Sequence, residues 1–256
     1  EMELAERFLL DALAYLECAL GVLFSVLLEV VGLPYGRYTS PGSAWQLSAT
    51  TAWVVQELPS LVVPLFVCVA TAAERLCRWP NRVLLAMFVV HYIHRSLIFP
   101  FLIRGGKPTS WYVCVMAFVF CTYNGYLQSR YLSHYAVYAD DWVTDPRFLT
   151  GFVLWLTGML INIHADGILR NLRQPGQTGY GIPRGGLFEY VSTANYFGEV
   201  LEWCGYGLAS WSVQGAAFAL FTFCVLLCRA RQHHRWYLEK FEDYPKFRKI
   251  MIPFLF

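Results

Sequence analysis

Asn162, Asp166, Arg170 and Arg173 follow one another at i, i+4, i+8 and i+11, so a helix carries them as one polar stripe. Asn195, Glu199, Glu202 and Tyr206 repeat the device at i, i+4, i+7 and i+11. Both stripes lie at the inner ends of long apolar segments. Between them Pro175, Gly176, Gly179, Gly181, Pro183, Gly185 and Gly186 interrupt regular helix and let backbone approach a ligand closely. Ionisable groups at membrane depth are costly, and their default reading is a functional site. The alternative is that these groups only pair with one another at the water interface.

Three kinds of chemistry are open to the polar residues. Arg170, Arg173, Arg184, Arg229, Arg231 and Arg235, with Asn162, Asn195, Tyr180, His233 and Tyr237, form an anion-facing set. Arg229, His233 and Tyr237 again repeat at i, i+4 and i+8. Guanidinium forks suit a cofactor bearing several phosphates; a basic juxtamembrane tail suits anionic lipid headgroups equally well. No G-x-G-x-x-G is present, so a nucleotide would be held by some other architecture than the Rossmann turn. Glu57 and Tyr92 form a second set on neighbouring apolar segments. A carboxyl buried in a membrane is expected to stay protonated and therefore to donate. With a tyrosine hydroxyl it makes a two-donor site for a carbonyl oxygen, of oxyanion-hole type. A structural interhelical hydrogen bond, averaging about 0.6 kcal/mol in a membrane, and a proton relay are the alternatives. The third set, Asp166, Glu199 and Glu202, could bind ribose hydroxyls or an amide, or hold the arginines in place. No H-E-x-x-H, nucleophile elbow or EF-hand pattern occurs, and no metal site is expected.

The elements that must position these residues are set by composition. Of 256 residues 57% are hydrophobic and 15% charged, where a soluble domain carries about a quarter charged. The fold class expected is an all-α, polytopic membrane bundle of seven transmembrane helices, with a cytosolic Gly/Pro loop and a basic C-terminal tail. The spans are read at 8–31, 47–70, 83–102, 111–131, 148–169, 196–211 and 214–230, each long enough to cross the hydrocarbon or nearly so. The first apolar run lacks a basic leader and a small-residue cleavage site, so it reads as a span and not a removed signal. Span two carries Trp53, Gln56 and Glu57 on one face; span three carries His91, Tyr92, His94 and Arg95 mid-length, which a lipid-facing helix could not tolerate. The eight cysteines lie singly without C-x-x-C spacing and read as small hydrophobes. A net charge of +2 gives no footprint for nucleic acid.

With seven spans, Arg37, Arg104, Lys107, Arg170, Arg173, Arg184 and the basic tail share one side. Arg75, Arg78, Arg82 and Arg147, diluted by Asp140, Asp141 and Asp145, share the other. Lys and Arg favour the cytosol, which puts the C-terminus there and the N-terminus on the opposite side.

Several stretches together resemble the steroid 5-alpha-reductases: A-W-V-V-Q-E-L-P-S (52–60), H-Y-I-H-R (91–95), F-C-T-Y-N-G-Y-L-Q (120–128), D-W-V-T-D-P-R-F (141–148), G-M-L-I-N-I-H-A-D (158–166), I-P-R-G-G-L-F-E-Y-V (182–191), N-Y-F-G-E (195–199) and E-D-Y-P-K-F-R-K (242–249). The resemblance covers the chain from about residue 35 onward. A-D-D-W-V-T-D-P-R-F and the ending I-P-F-L-F are most similar to the vertebrate type 1 branch.

The resemblance implies an enzyme of the endoplasmic-reticulum membrane, a single reductase domain over 1–256, that uses NADPH to reduce the 4,5 double bond of 3-oxo-4-ene steroids. It implies a steroid pocket mainly from spans one to four and an NADPH pocket mainly from residues 160–256. Carried over, it makes Glu57 and Tyr92 the groups that hold the 3-ketone, with Trp53 and Gln56 beside the steroid. It turns Asn162, Asp166, Arg173, Tyr180, Asn195, Glu199, Arg229, His233, Arg235 and Tyr237 toward the dinucleotide. Hydride would reach carbon 5, the 3-oxygen would gain negative charge, and carbon 4 would take a proton from solvent or a nearby donor. Two departures stand out. The family usually reads Y-R-I-P where this chain has Tyr180-Gly181-Ile182-Pro183, which implies weaker cofactor binding, and Ala165 stands where H-S-D is usual. Partners implied are steroid and membrane lipid, with no nucleic acid and no obligate protein. A sterol or polyprenol reductase, a membrane methyltransferase with a related C-terminal cofactor pocket, and a transporter-like bundle are the rival classes.

Overall fold

The computed structural model describes residues 1–31, 45–173 and 179–256. The loop expected over 32–46 and the Pro175–Gly176 turn therefore lie largely outside the described residues. Nine α-helices carry the chain: α1 (Met2–Val30), α2 (Ala49–Glu57), α3 (Pro59–Ala70), α4 (Trp79–Ile93), α5 (Phe99–Leu102), α6 (Trp111–Arg130), α7 (Pro146–Asn171), α8 (Ala194–Ser210) and α9 (Val213–Lys240) among the described residues. Two-residue strands, Gln46–Leu47 and Thr109–Ser110, pair antiparallel at one end. Among the described residues five helical stretches are long and apolar enough to cross a membrane: Met2–Val30, Ala49–Ala70, Trp79–Leu102, Pro146–Asn171 and Val213–Lys240. The chain is thus a helical multi-pass membrane protein. Helices α6, of 20 residues, and α8, of 17, stand in the same bundle but are not among those five.

Local sequence explains the breaks. The segment read as one span over 47–70 is one span built of two helices, because Pro59 has no N–H to give and starts a new helix immediately after Leu58. That break falls beside Glu57. Between α4 and α5 the chain runs through a π turn, His94–Ile98, ahead of Pro100. Such turns insert an extra residue and re-aim side chains; here Arg95 is turned inward and buried. Asp145 caps α7 by accepting from the Arg147 amide at 2.9 Å, with Pro146 at the first helical position. Ser212 caps α9 in the same way at 3.0 Å.

Helices α7 and α8 touch backbone to backbone. Gly151 and Gly158 on α7 face Gly205 and Gly198 on α8, and each pair is seven residues apart on its own helix. A Cβ at Gly151 would lie 2.5 Å from the Ala209 nitrogen and the Gly205 oxygen; one at Gly198 would lie 2.6 Å from the Asn162 nitrogen. Small residues allow this approach where helices associate by packing and not by exclusion from water. The two polar stripes are thereby laid side by side. A core of Phe88, Tyr92, Trp203, Tyr206 and Phe218 fills the space between α4, α8 and α9.

The expected basic tail is not a free arm. After α9 it folds back over the 183–192 segment. The Lys249 amide donates to Tyr190 O at 2.8 Å, the Ser192 amide donates to Lys249 O at 2.9 Å, and Arg248 donates to Pro183 O at 2.8 Å. Tyr244 stacks on Tyr237 with centroids 5.0 Å apart. Burial pushes the Tyr244 hydroxyl above the usual phenol range.

Candidate active site

One cavity of about 860 Å³ runs through the bundle, within the size range of ligand sites. Its centre is a charged hub built on Arg95. The guanidinium donates to Asn162 Oδ1 at 2.7 Å and stands 3.5 Å from Asp166 and 3.6 Å from Glu199. Its flat faces meet aromatic rings, with Phe99 at 4.7 Å and Trp53 at 5.6 Å. Planar stacking plus forked donation is what distinguishes Arg from Lys. Asn162 passes the connection on, donating from Nδ2 to Asn195 O at 2.9 Å. Beneath the hub His91 bonds Glu202 at 2.8 Å and lies 3.8 Å from Glu199. Five ionisable groups from α4, the π turn, α7 and α8 are thus locked together, as buried charges must be.

From this hub the wall changes character in two directions. Toward the end of α7, Arg104, Lys107, Arg170, Arg173 and Arg229 give it a strongly cationic lining. Arg173 is held in place by carbonyls, donating to Gly179 O at 3.2 Å and to Gly105 O, and it lies 4.3 Å above the Tyr180 ring. Toward α1, α6 and α9 the wall is apolar, with Leu20, Phe24, Phe120, Phe221 and Val225. Glu57 lies on the wall beside the hub, taking weak bonds from Cys121 Sγ at 3.4 Å and Gln56 Nε2 at 3.5 Å. A carboxyl so loosely held is available to a ligand.

Of the residues picked from sequence, Trp53, Gln56, Glu57, Asn162, Asp166, Arg173, Tyr180, Asn195, Glu199, Arg229 and Tyr237 all line this cavity. Tyr92 does not. It is 5% exposed, one layer deeper, stacked on Trp203, with Glu57 and Cys121 among its polar neighbours. His233 is also off the wall and bonds the hydroxyl of Tyr196, which does line it, at 3.0 Å. Arg235 is turned away altogether and pairs with Glu29 of α1 at 3.5 Å, with Arg231 on the same carboxylate at 3.7 Å. Six residues after Arg229, position 235 falls on another face of α9.

Arg95 was visible in the sequence as a mid-span charge, but its period pointed to no partner; the hub it makes appears only when α7 and α8 are laid against it. Gly181, at the departure from the Y-R-I-P pattern, lines the cavity, and a Cβ there would meet only Leu172 Cδ2 at 3.9 Å. Among the described residues nothing around it requires glycine.

Fold and cavity together define a helical membrane protein with a buried charged hub, a cationic arm and an apolar arm. A family model described as 3-oxo-5-alpha-steroid 4-dehydrogenase matches residues 107–256. The chain is 75% identical over 256 residues to 3-oxo-5-alpha-steroid 4-dehydrogenase 1 of Bos taurus, covering 99% of this chain and 100% of that one. It is 68% identical over 252 residues to the protein of that name from Homo sapiens, covering 98% and 97%. To 3-oxo-5-alpha-steroid 4-dehydrogenase 2 of Homo sapiens it is 48% identical over 240 residues, 93% of each chain. The chain belongs to the 3-oxo-5-alpha-steroid 4-dehydrogenase family, a family of oxidoreductases.

Proposed function

We propose that the chain reduces the 4,5 double bond of 3-oxo-4-ene steroids, testosterone and progesterone among them, to the 5-alpha products with NADPH. The observation that carries this reading is a continuous cavity whose apolar and cationic arms meet at Glu57 and the Arg95 hub. The names of the relatives supply the substrate class. The cationic arm fits a polyphosphate cofactor: Arg104, Lys107, Arg170, Arg173 and Arg229 face one space, and the Arg173 fork is already fixed by carbonyls. When bound, NADPH supplies the hydride that carbon 5 receives. Arg173 and Arg229 hold its phosphates, Asn162, Asp166, Asn195 and Glu199 orient the ring end, and Tyr180 and Tyr237 close the arm.

Glu57, in its acid form, donates to the steroid 3-oxygen as negative charge develops there. A donor that strengthens with developing charge lowers the barrier and not merely the binding energy. Tyr92 is the second donor of this proposal, reached one layer behind the wall. Trp53 and Gln56 flank the steroid, and the apolar arm buries its rings away from water.

The whole chain, 1–256, works as one domain, with the steroid pocket mainly from the first four spans and the cofactor pocket mainly from residues 160–256. It crosses the endoplasmic-reticulum membrane seven times, α6 and α8 included, with the N-terminus luminal and the C-terminus cytosolic. A tag at Phe256 should be reached after permeabilising the plasma membrane alone, and one near Asp141 only after full permeabilisation. The activity is tested by turnover in membranes with NADPH, comparing 3-oxo-4-ene steroids with sterol and polyprenal panels. Reduction of the latter panels alone would refute the substrate class.

A further inference from the structure

Among the buried residues of helix α1 one alone is polar. Leu10, Ala14, Glu17, Gly21 and Leu28 are its buried residues. Glu17 is 1% exposed, and neither of its carboxyl oxygens has a hydrogen-bond partner. Glu17 nevertheless lies on the cavity wall, together with Leu20 and Phe24, which share its helical face at i+3 and i+7. Across from this face stand Phe120 and Tyr123 of α6 and Phe221 of α9. Tyr123 is within electrostatic reach of Glu17, but its hydroxyl is already donated to the Leu13 carbonyl. Glu57 is bonded by Gln56 and Cys121 beside the Arg95 hub, whereas Glu17 stands among Leu20, Phe24 and Tyr123. The two carboxyls therefore belong to separate parts of one cavity, Glu57 at the hub and Glu17 in the apolar arm.

A buried carboxyl without a partner is expensive, and a hydrophobe or an amide with a bond of its own would pack there at lower cost. Such a group is relieved by a ligand that brings a partner into the arm. The acid form offers both halves of what a small oxygen function needs: an O–H for a ketone and a C=O for a hydroxyl. A site built to bond such a group also discriminates against an analogue lacking it, because its own polar atoms are then left buried and unpaired.

Resting on the proposed steroid reduction, we propose that Glu17 is the specificity-determining residue for the oxygen function carried at the steroid end remote from the 3-ketone. It selects hydroxylated or keto steroids over those that end in plain hydrocarbon. It takes no part in hydride transfer.

The test uses the full chain in membranes and two 3-oxo-4-ene steroids that differ only in a hydroxyl at carbon 17. The quantity read is the ratio of their kcat/KM values within one preparation, which cancels the amount of folded enzyme. Wild type should favour the hydroxylated steroid by about tenfold. Glu17→Gln, which keeps a donor and an acceptor in the same volume, should retain most of that preference. Glu17→Ala should bring the ratio close to one, through a raised KM for the hydroxylated steroid and little change for the other. An unchanged ratio in Glu17→Ala overturns the inference, as does a wild-type ratio near one. Loss of all activity in both variants overturns it too, since Glu17 would then be needed for folding or chemistry in general. If wild type reduces neither steroid, the reductase reading falls and this inference with it, an outcome distinct from the other three.

Discussion

Gly198→Ala should separate the two polar stripes by a calculable distance. The added methyl would sit 2.6 Å from the Asn162 amide nitrogen, where ordinary contact begins at 3.4 Å, and its other neighbours are backbone atoms of α7. Backbone cannot rotate out of the way, so α7 and α8 must part locally by about 0.8 Å. The Asn162 Nδ2 bond to Asn195 O, now 2.9 Å, would open to about 3.7 Å, beyond hydrogen-bond range. Overpacking costs about 1–3 kcal/mol and the lost bond about 1 kcal/mol, while alanine returns about 1 kcal/mol of helix propensity. The net is a loss of about 1–3 kcal/mol. For a chain of this size that lowers Tm by roughly 2–4 °C per kcal/mol. Asn162 also bonds Arg95, so steroid turnover should fall more than stability does. Gly167→Ala on α7 is the control, because among the described residues its methyl would meet only the flexible Arg170 Nη2 at 3.6 Å. Thermal unfolding in detergent and kcat/KM would be measured for both. A Gly198→Ala protein as stable and active as Gly167→Ala would refute the backbone-contact argument.

Glu57→Gln should lower kcat by on the order of a hundredfold with cofactor binding retained; Tyr92→Phe, one layer from the wall, should lower it less, and equal turnover in both variants and wild type would remove them from the chemistry. Arg95→Leu strands Asp166 and Glu199, and breaking a buried pair costs about 3–5 kcal/mol, so little folded protein should be recovered; Arg95→Lys, which keeps the charge but loses the fork and the stacking on Phe99, should fold with weakened activity. Gly181→Arg meets no clash at its Cβ among the described residues and adds a cation to the cationic arm, so KM for NADPH should fall while the steroid KM holds. Arg173→Leu should weaken NADPH more than NADH, by about 1.5–3 kcal/mol for a charged hydrogen bond; equal loss for both cofactors would place Arg173 away from the extra phosphate.

Much of the site could be read from helical period alone. Asn162, Asp166, Arg170 and Arg173 share a face wherever the helix stands, as do Asn195 and Glu199, and all six reach the cavity. What period does not carry is the partner of a face. The glycines at 151, 158, 198 and 205 have meaning only as two facing pairs, and Arg95 becomes a hub only once two acids and an asparagine converge on it from other helices. Glu17, one of three carboxyls in the first apolar run, gives no local signal that its surroundings leave it unbonded. Arg235 shows the opposite failure. Its type suited a phosphate site, but its angular position on α9 directed it to Glu29. The break at Pro59 was visible as a residue and lost inside the apolar run, although it fixes where Glu57 stands.

The central claim is hydride delivery from NADPH to a steroid held against Glu57. It is tested most directly by incubating the purified chain with NADPH deuterated at the transferable position and a 3-oxo-4-ene steroid, then locating the label in the product. The account predicts one deuterium at carbon 5 of a 5-alpha-reduced 3-oxo steroid, formed in step with NADPH oxidation. Oxidation of NADPH with no label at carbon 5, or a reduced 3-alcohol with the double bond intact, would contradict it.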